Sequence, residues 1–376
     1  MNQKYGEFSK AYKRWLELPE DEKSKSIAPL PFNVGLKKES GIINNVNNLI
    51  KTVTLPSRYN LRDYFTIETK NQRRTGNCWA FSANTSVETI LKRQGETLDF
   101  SERHLDYDTS LNFTDGTNEI GLNRKPTDAG RTTTAFTYYS RGSGPILEED
   151  MPFENNENTI SLAELPINSA TKKIDNMIYF PNVYKKVENG ELICFDSNDN
   201  IYTNEEVIQI RNQIKEHIMN HGAVSINIAH EKVQVYGGMI TSNQKYGDLV
   251  DHAVTIIGWD DNFSKDNFSN KPKNNGAYIV LNSWGNEWGQ NGVYYISYED
   301  PYVEAMARGV SDVSNIEYDN LYQYDISEIY GSYRIKYGAN VFMSKEDETL
   351  TEIMINVPAD QTCNVYVNTR RWKFRN

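Results

Sequence analysis

The sequence predicts an α+β protein, on three observations. A helical pattern follows residue 78, a second one spans residues 205–222, and three strand-like runs, DHAVTIIGW, GAYIVLN and GVYYISYE, crowd into the later part of the chain. The 376 residues suffice for one large or two ordinary domains, and 38% hydrophobic with 12% aromatic content can fill a core. A formal charge of −11 argues against a nucleic-acid partner, which calls for a basic face. No apolar run approaches the length of a membrane span, so none is expected.

At the start, MNQKYGEFSK lacks the apolar core of a secretory signal; either none exists or the numbering begins after its removal. Tyr5, Phe8, Tyr12 and Trp15 then recur at helical spacing before PEDEKSKS and IAPLPF break the pattern, which predicts a short helix followed by an extended segment. Such a stripe is either an ordinary core helix or the docking face of an inhibitory prosegment. From LPSRYNLRDY onward the pattern is globular. In NQRRTGNCWAFS, Cys78 falls at a predicted helix N-terminus, where unpaired N–H groups and the helix dipole favour thiolate over thiol. Behind it Ala80, Ala83, Val87, Ile90 and Leu91 share one face and Gly95 supplies a stop, so this helix is expected to be buried on one side. The stretch from about Pro166 to Asn204 is polar, with a hairpin turn predicted at Asn189-Gly190. A helix over EEVIQIRNQIKEHIMNHG leads into the strand-like AVSINIA.

Three cysteines allow at most one bridge, and Cys194 and Cys363, in strand-like surroundings, read as core residues. A nucleophilic Cys78 needs a base. Of the five histidines, only His252 opens a buried-looking strand; His104, His217, His221 and His230 stand in polar or helical surroundings and read as solvated. Asn282, in VLNSWGNEWGQNG, can accept from a ring N–H of His252 and hold it without adding charge. If Cys78 and His252 form an ion pair, the thiol is expected to titrate at about 3–4 and the imidazole above its free value. The DDNFSKDN loop has no EF-hand spacing, and no metal is expected there.

Taken together, NQRRTGNCWAFS, DHAVTIIGW and LNSWGNEWGQNGVYYI resemble, in chain order, the three signature blocks of the papain family of cysteine peptidases, with similarity from roughly Leu55 to Asp300. The resemblance implies a papain-like two-lobed fold, with a helical left lobe and an antiparallel β-barrel-like right lobe. It implies a thiol protease that hydrolyses peptide bonds through an acyl-enzyme and needs no cofactor. Cys78 is then the nucleophile, His252 the general base and acid, Asn282 the residue that orients His252, and Gln72 a donor to the oxyanion. Trp284 would shield the Asn282–His252 bond, Trp288 would line the leaving-group side, and Gly130 would pair with the substrate backbone. Asn227 and Asp251 would lie near the pocket for the second side chain before the scissile bond and make it polar.

Two departures stand out. Thr75 occupies the place of a cysteine usual in the family, and Asp128-Ala129-Gly130 replaces the segment holding its partner, so the helix-anchoring disulfide is absent and packing around Trp79 and Phe81 is expected to hold the cleft. The short N-terminal segment, NFSKDNF and YISYED are similar to the surface-layer-processing cysteine peptidases of Gram-positive bacteria. That likeness implies a zymogen, secreted or at the cell surface, acting on protein or peptide substrates with its own prosegment as inhibitor. The domains expected are a prosegment and linker over 1–54, a catalytic domain over 55–312 and a β-rich C-terminal extension over 313–376, a partial lectin-like domain. The alternatives are a catalytically silent papain-fold binding or adhesion protein, or an exopeptidase on the same triad.

Overall fold

The computed structural model describes residues 8–35, 54–110, 124–140, 142, 144–153, 170–230, 234–236, 239–242, 245–322, 341–344, 346–353 and 364–367. Two short helices come first, α1 (Lys10–Leu16) and α2 (Glu20–Lys23). Strand β1 (Arg58–Asn60) opens the globular part. Then follow α3 (Cys78–Gln94), α4 (Glu102–Asp108) and α5 (Thr132–Ser140). The second half runs β2 (Lys172–Tyr179), β3 (Tyr184–Glu188), β4 (Glu191–Phe195), α6 (Asn204–Asn220), β5 (Val224–Ile228), β6 (Gln234–Tyr236), β7 (Met239–Ser242), β8 (His252–Asp260), β9 (Ala277–Leu281), β10 (Val293–Ser297) and β11 (Arg308–Asn315).

Helix α3 ends where expected: Gly95 takes φ 91°, a left-handed conformation that glycine adopts at no steric cost, and its amide closes on the carbonyls of Leu91 and Lys92. Burial differs from the one-sided expectation. Every residue from Cys78 to Leu91 is buried, the polar ones included, because α3 lies between α4 and α5 on one side and β8 and β11 on the other. The hairpin β3–β4 turns at Asn189 and Gly190, both at positive φ, as its sequence predicts. A capping box of Thr203 and Glu206 starts α6.

Among the described residues, nine strands form one sheet in the order β2-β11-β5-β8-β9-β10-β7-β6, with β1 added on β8. Its pairs are antiparallel except β7 with β10. The path is open among the described strands, so the barrel-like lobe is an open sheet in place of a closed barrel. Strand β8 is central: it pairs with β5, β9 and β1, and every residue from His252 to Trp259 is buried. Two cores flank it. Ile226, Ile256, Val280 and Tyr294 belong to the sheet lobe, and Trp79, Val87, Leu105 and Phe136 to the helical lobe.

The N-terminal segment packs on the rest of the chain. Ser9 caps α1, the amide of Ala11 donates to Ser197, and the amide of Asn182 donates to Val34. Phe8 packs edge-on against Tyr12, which stacks on Trp15, so the aromatic stripe exists over these three; Tyr5 lies outside the described residues. The C-terminal β extension falls largely outside the described residues, and those described after Asn315 are in no assigned strand. Cys363 is also outside them, while Cys194 is buried, as expected.

Candidate active site

Cys78 is the first residue of α3, and its Sγ accepts the backbone N–H of Ala253 at 3.4 Å. This contact joins the two lobes at the residue after His252. The next turn of α3 continues the seam, with Ser82 donating to the carbonyl of Val254 at 2.8 Å and Thr255 bonded to Ser82 Oγ at 3.0 Å. His252 opens β8, and its Nε2 lies 2.8 Å from Asn282 Oδ1. The same oxygen accepts the Ser283 amide at 2.8 Å, which identifies it as an acceptor and makes His252 Nε2 the donor. A neutral His252 therefore carries its basic lone pair on Nδ1.

Asn282 follows β9, and its Nδ2 is buried without a partner. Gln72 is held in one orientation: its Oε1 accepts from Ser283 Oγ at 2.6 Å and its Nε2 donates to the Thr75 carbonyl at 2.8 Å. Thr75 in turn donates its hydroxyl to the Gln72 carbonyl at 2.7 Å, so the threonine at the place of the family's cysteine closes the turn that carries Gln72. An aromatic wall stands beside His252. Trp284 lies 5.1 Å from its ring and meets Trp288 edge-on at 5.1 Å.

Gly130 backs onto α3. A Cβ there would come within 2.4 Å of Trp79 Cε2, so the need for glycine is steric contact with the residue after Cys78. The loop bearing Gly130 is tied by Arg124 and Asp106: Arg124 donates to the Asp106 carbonyl at 2.6 Å and lies 4.8 Å over the Trp79 ring, and Asp106 accepts the Thr127 amide at 2.8 Å. The expected packing around Trp79 is present, but Arg124 and Asp106 do the tying. Asn227 and Asp251 stand on or beside neighbouring strands and face different partners. Asn227 is buried with Nδ2 4.0 Å from Met306 Sδ, whereas Asp251 accepts the His230 amide at 2.8 Å.

Burial dominates the electrostatics. It pushes the Cys78 thiol up to about 11, helped by the nearby Asp251 carboxylate and opposed by the Ala253 and Trp79 amides. His252 is pushed down to about 3 by burial and by His230, against the Asn282 bond. Both shifts oppose the ion pair expected from sequence, because both groups are out of water here. The histidine expectations also need correcting. His104 and His217 are buried, the first bonded to Tyr138 at 2.6 Å and the second stacked on His221 at 4.9 Å. His230 lies in the site itself, its ring 4.9 Å from that of His252. No motif marked it; the signal available was its place at the end of AVSINIA, the strand that pairs with the one His252 opens.

A profile described as papain family cysteine protease matches residues 55–313, most of the chain. The chain belongs to the papain family. Among curated relatives of this family member are cysteine proteinase 1 of Zea mays, 25% identical over 66% of this chain and 58% of the relative, and fruit bromelain of Ananas comosus, 26% identical over 70% and 58%. The chain thus spans about three fifths of the curated relatives it matches. Among solved structures, the cysteine protease and lectin-like domains of Cwp84, a surface-layer-associated protein of Clostridium difficile, align with TM-score 0.65 and 25% identity over 86% of this chain and 64% of that one. A variant of clostridial Cwp84 after propeptide cleavage aligns with TM-score 0.57 and 26% identity over 72% and 62%. No helix of the described residues is long and apolar enough to cross a membrane.

Proposed function

We propose that this papain-family chain is a cysteine endopeptidase made as a zymogen. The observation that carries the reading is the start of β8: the Ala253 amide holds Cys78 Sγ while its neighbour His252 is oriented by Asn282. In the reaction, the Cys78 thiol gives its proton to His252 Nδ1 and the thiolate attacks the scissile carbonyl. The oxyanion takes N–H bonds from the Cys78 backbone and from the Gln72 amide, which is already fixed by Ser283 and Thr75. His252 then protonates the leaving amine, and water hydrolyses the acyl-enzyme to a carboxylic acid and the free thiol. Trp284 and Trp288 screen the His252–Asn282 bond and wall the leaving-group side. Gly130 pairs with the substrate backbone, and Asn227 and Asp251 give the neighbouring pocket polar character.

Residues 1–54 are the prosegment. Support comes from contacts on both sides of the cleft: the Ile27 amide donates to the carbonyl of Val250 at 2.6 Å, two residues before His252, and Arg131, next to Gly130, lies 5.8 Å over the Trp15 ring. A thiol held up and an imidazole held down suit a resting form with this segment in place. The catalytic domain is 55–312. The alignment with a structure containing a lectin-like domain supports reading 313–376 as part of such a domain, and the likeness to a surface-layer-associated protein supports a secreted or cell-surface enzyme acting on proteins there.

A peptide library digested by the full chain and by a form beginning near Leu55, read by mass spectrometry, tests this. The trimmed form is expected to cut internal bonds, the full chain to be nearly inactive, and Cys78→Ala to lower cleavage by about 10⁶-fold, the scale seen when a triad nucleophile is removed. Loss of terminal residues only would make it an exopeptidase. No cleavage by either form would leave a silent binding protein.

A further inference from the structure

We infer that His230 is a positioning residue for the base: its ring wedges His252 and Trp284 in place, and its protonation sets the acid limit of the Cys78–His252 pair. The inference rests on the peptidase reading above. Three rings meet at this corner. His230 stands edge-on to His252 at 4.9 Å and 65° and edge-on to Trp284 at 4.5 Å and 82°, while Trp284 lies 5.1 Å from His252. The His230 backbone is pinned, since its N–H donates to Asp251 Oδ1 at 2.8 Å and the Asp251 N–H donates to the Ile228 carbonyl. Neither His252 nor Trp284 can turn without moving this ring.

Packing alone does not account for an imidazole here. His230 Nε2 is buried and has no hydrogen-bond partner, a cost that a phenyl ring filling the same space would avoid. What imidazole adds is a proton. The titratable groups facing it are His252 at the start of β8 and Asp251 just before it, with Cys78 one step further, held by the Ala253 amide. Burial holds His230 down to about 4, so it is neutral at ordinary pH and charges only in acid. Its charge acts on His252, whereas the charged group acting on Cys78 is Asp251. A protonated His230 therefore opposes the imidazolium that must accompany the thiolate, and the active pair is lost by two protonations in place of one.

Alkylation of Cys78 by iodoacetamide in the folded full chain after it has been cut near Leu55, followed peptide by peptide from acid to alkaline pH, reads the thiolate directly. In the wild type the acid limb is expected to fall more steeply than one proton allows. His230→Phe keeps the wedge and removes the proton, so the limb should follow a single proton and move about one pH unit or more to acid. His230→Ala removes both and should also lower the plateau several-fold, a loss that Phe restores. An acid limb unchanged in both variants, with Cys78 still faster than Cys194, overturns this inference alone. Cys78 reacting no faster than Cys194 in the wild type overturns the thiolate–imidazolium chemistry beneath it as well.

Discussion

Beside α3, Lys70 sits among Glu88, Glu102 and Asp99, three carboxylates to one ammonium, whereas in the sheet lobe Glu304 sits between Lys185 and Arg211, one carboxylate to two cations. Apart from the exposed Asp99, both clusters lie in the interior, and the sign of the surplus decides what burial does. Glu102 is driven up to about 8 by burial, since Lys70 is shared with Glu88. Burial pushes Glu304 the same way, but Arg211 and Lys185 overcome it and hold the carboxyl at about 2. The helical lobe, which carries Cys78, thus has a proton to exchange near neutral pH; the Glu304 cluster does not.

The largest test of this contrast is Glu304→Gln, which leaves Lys185 and Arg211 buried without their anion. It is expected to cost about 3–5 kcal/mol, read as a fall in the urea midpoint at unchanged slope. Next is Lys70→Met, expected to cost about 3 kcal/mol above pH 8 and less below it, where Glu102 takes up a proton. A loss independent of pH would show that the carboxylates carry no surplus. Tyr278→Phe removes the hydroxyl that donates to Glu304 at 2.9 Å and should cost about 1.5–3 kcal/mol by the same measurement.

Glu102→Gln should change stability least, by about 1 kcal/mol or less, and sharpens the comparison through pH. Glu102 binds its proton more tightly folded than unfolded, so its contribution is full below its unfolded value near 4.5 and is lost as pH rises through about 8. Glu304 contributes above its unfolded value and loses that only as pH falls toward about 2. The variant should therefore flatten the alkaline fall in the urea midpoint and leave the acid side alone. An unaltered alkaline fall would place the proton elsewhere.

Much of the fold was legible because its signals are local. The β-branched runs of β8 and β9, the Asn189-Gly190 turn and the Gly95 stop each report their own structure. The stretches that hold Cys78, His252, Asn282 and Gln72 were recognisable too, and the structure sets Asn282 against His252, Gln72 against Ser283 and Cys78 against Ala253. What stayed hidden depends on partners distant in sequence. Ser82, Asn84 and Glu88 look like the wet side of an amphipathic helix until β8, Phe100 and Lys70 arrive to satisfy them. His104 and His217 look solvated for the same reason. The absent disulfide was legible, but its replacement was not: Arg124 and Asp106 are 18 residues apart and neither belongs to a motif.

The amide of Ala253 offers one more consequence. Its proton points at Cys78 Sγ across the lobe boundary, at 3.4 Å, from a residue that takes no part in bond-making itself. A sulfur anion draws such a proton more strongly than a neutral thiol does. In a spectrum of the labelled chain, the Ala253 resonance is thus a built-in gauge of the Cys78 sulfur, moving downfield as a thiolate forms and broadening or shifting back if helix and strand part. The full chain and a form beginning near Leu55 can then be compared with no substrate present.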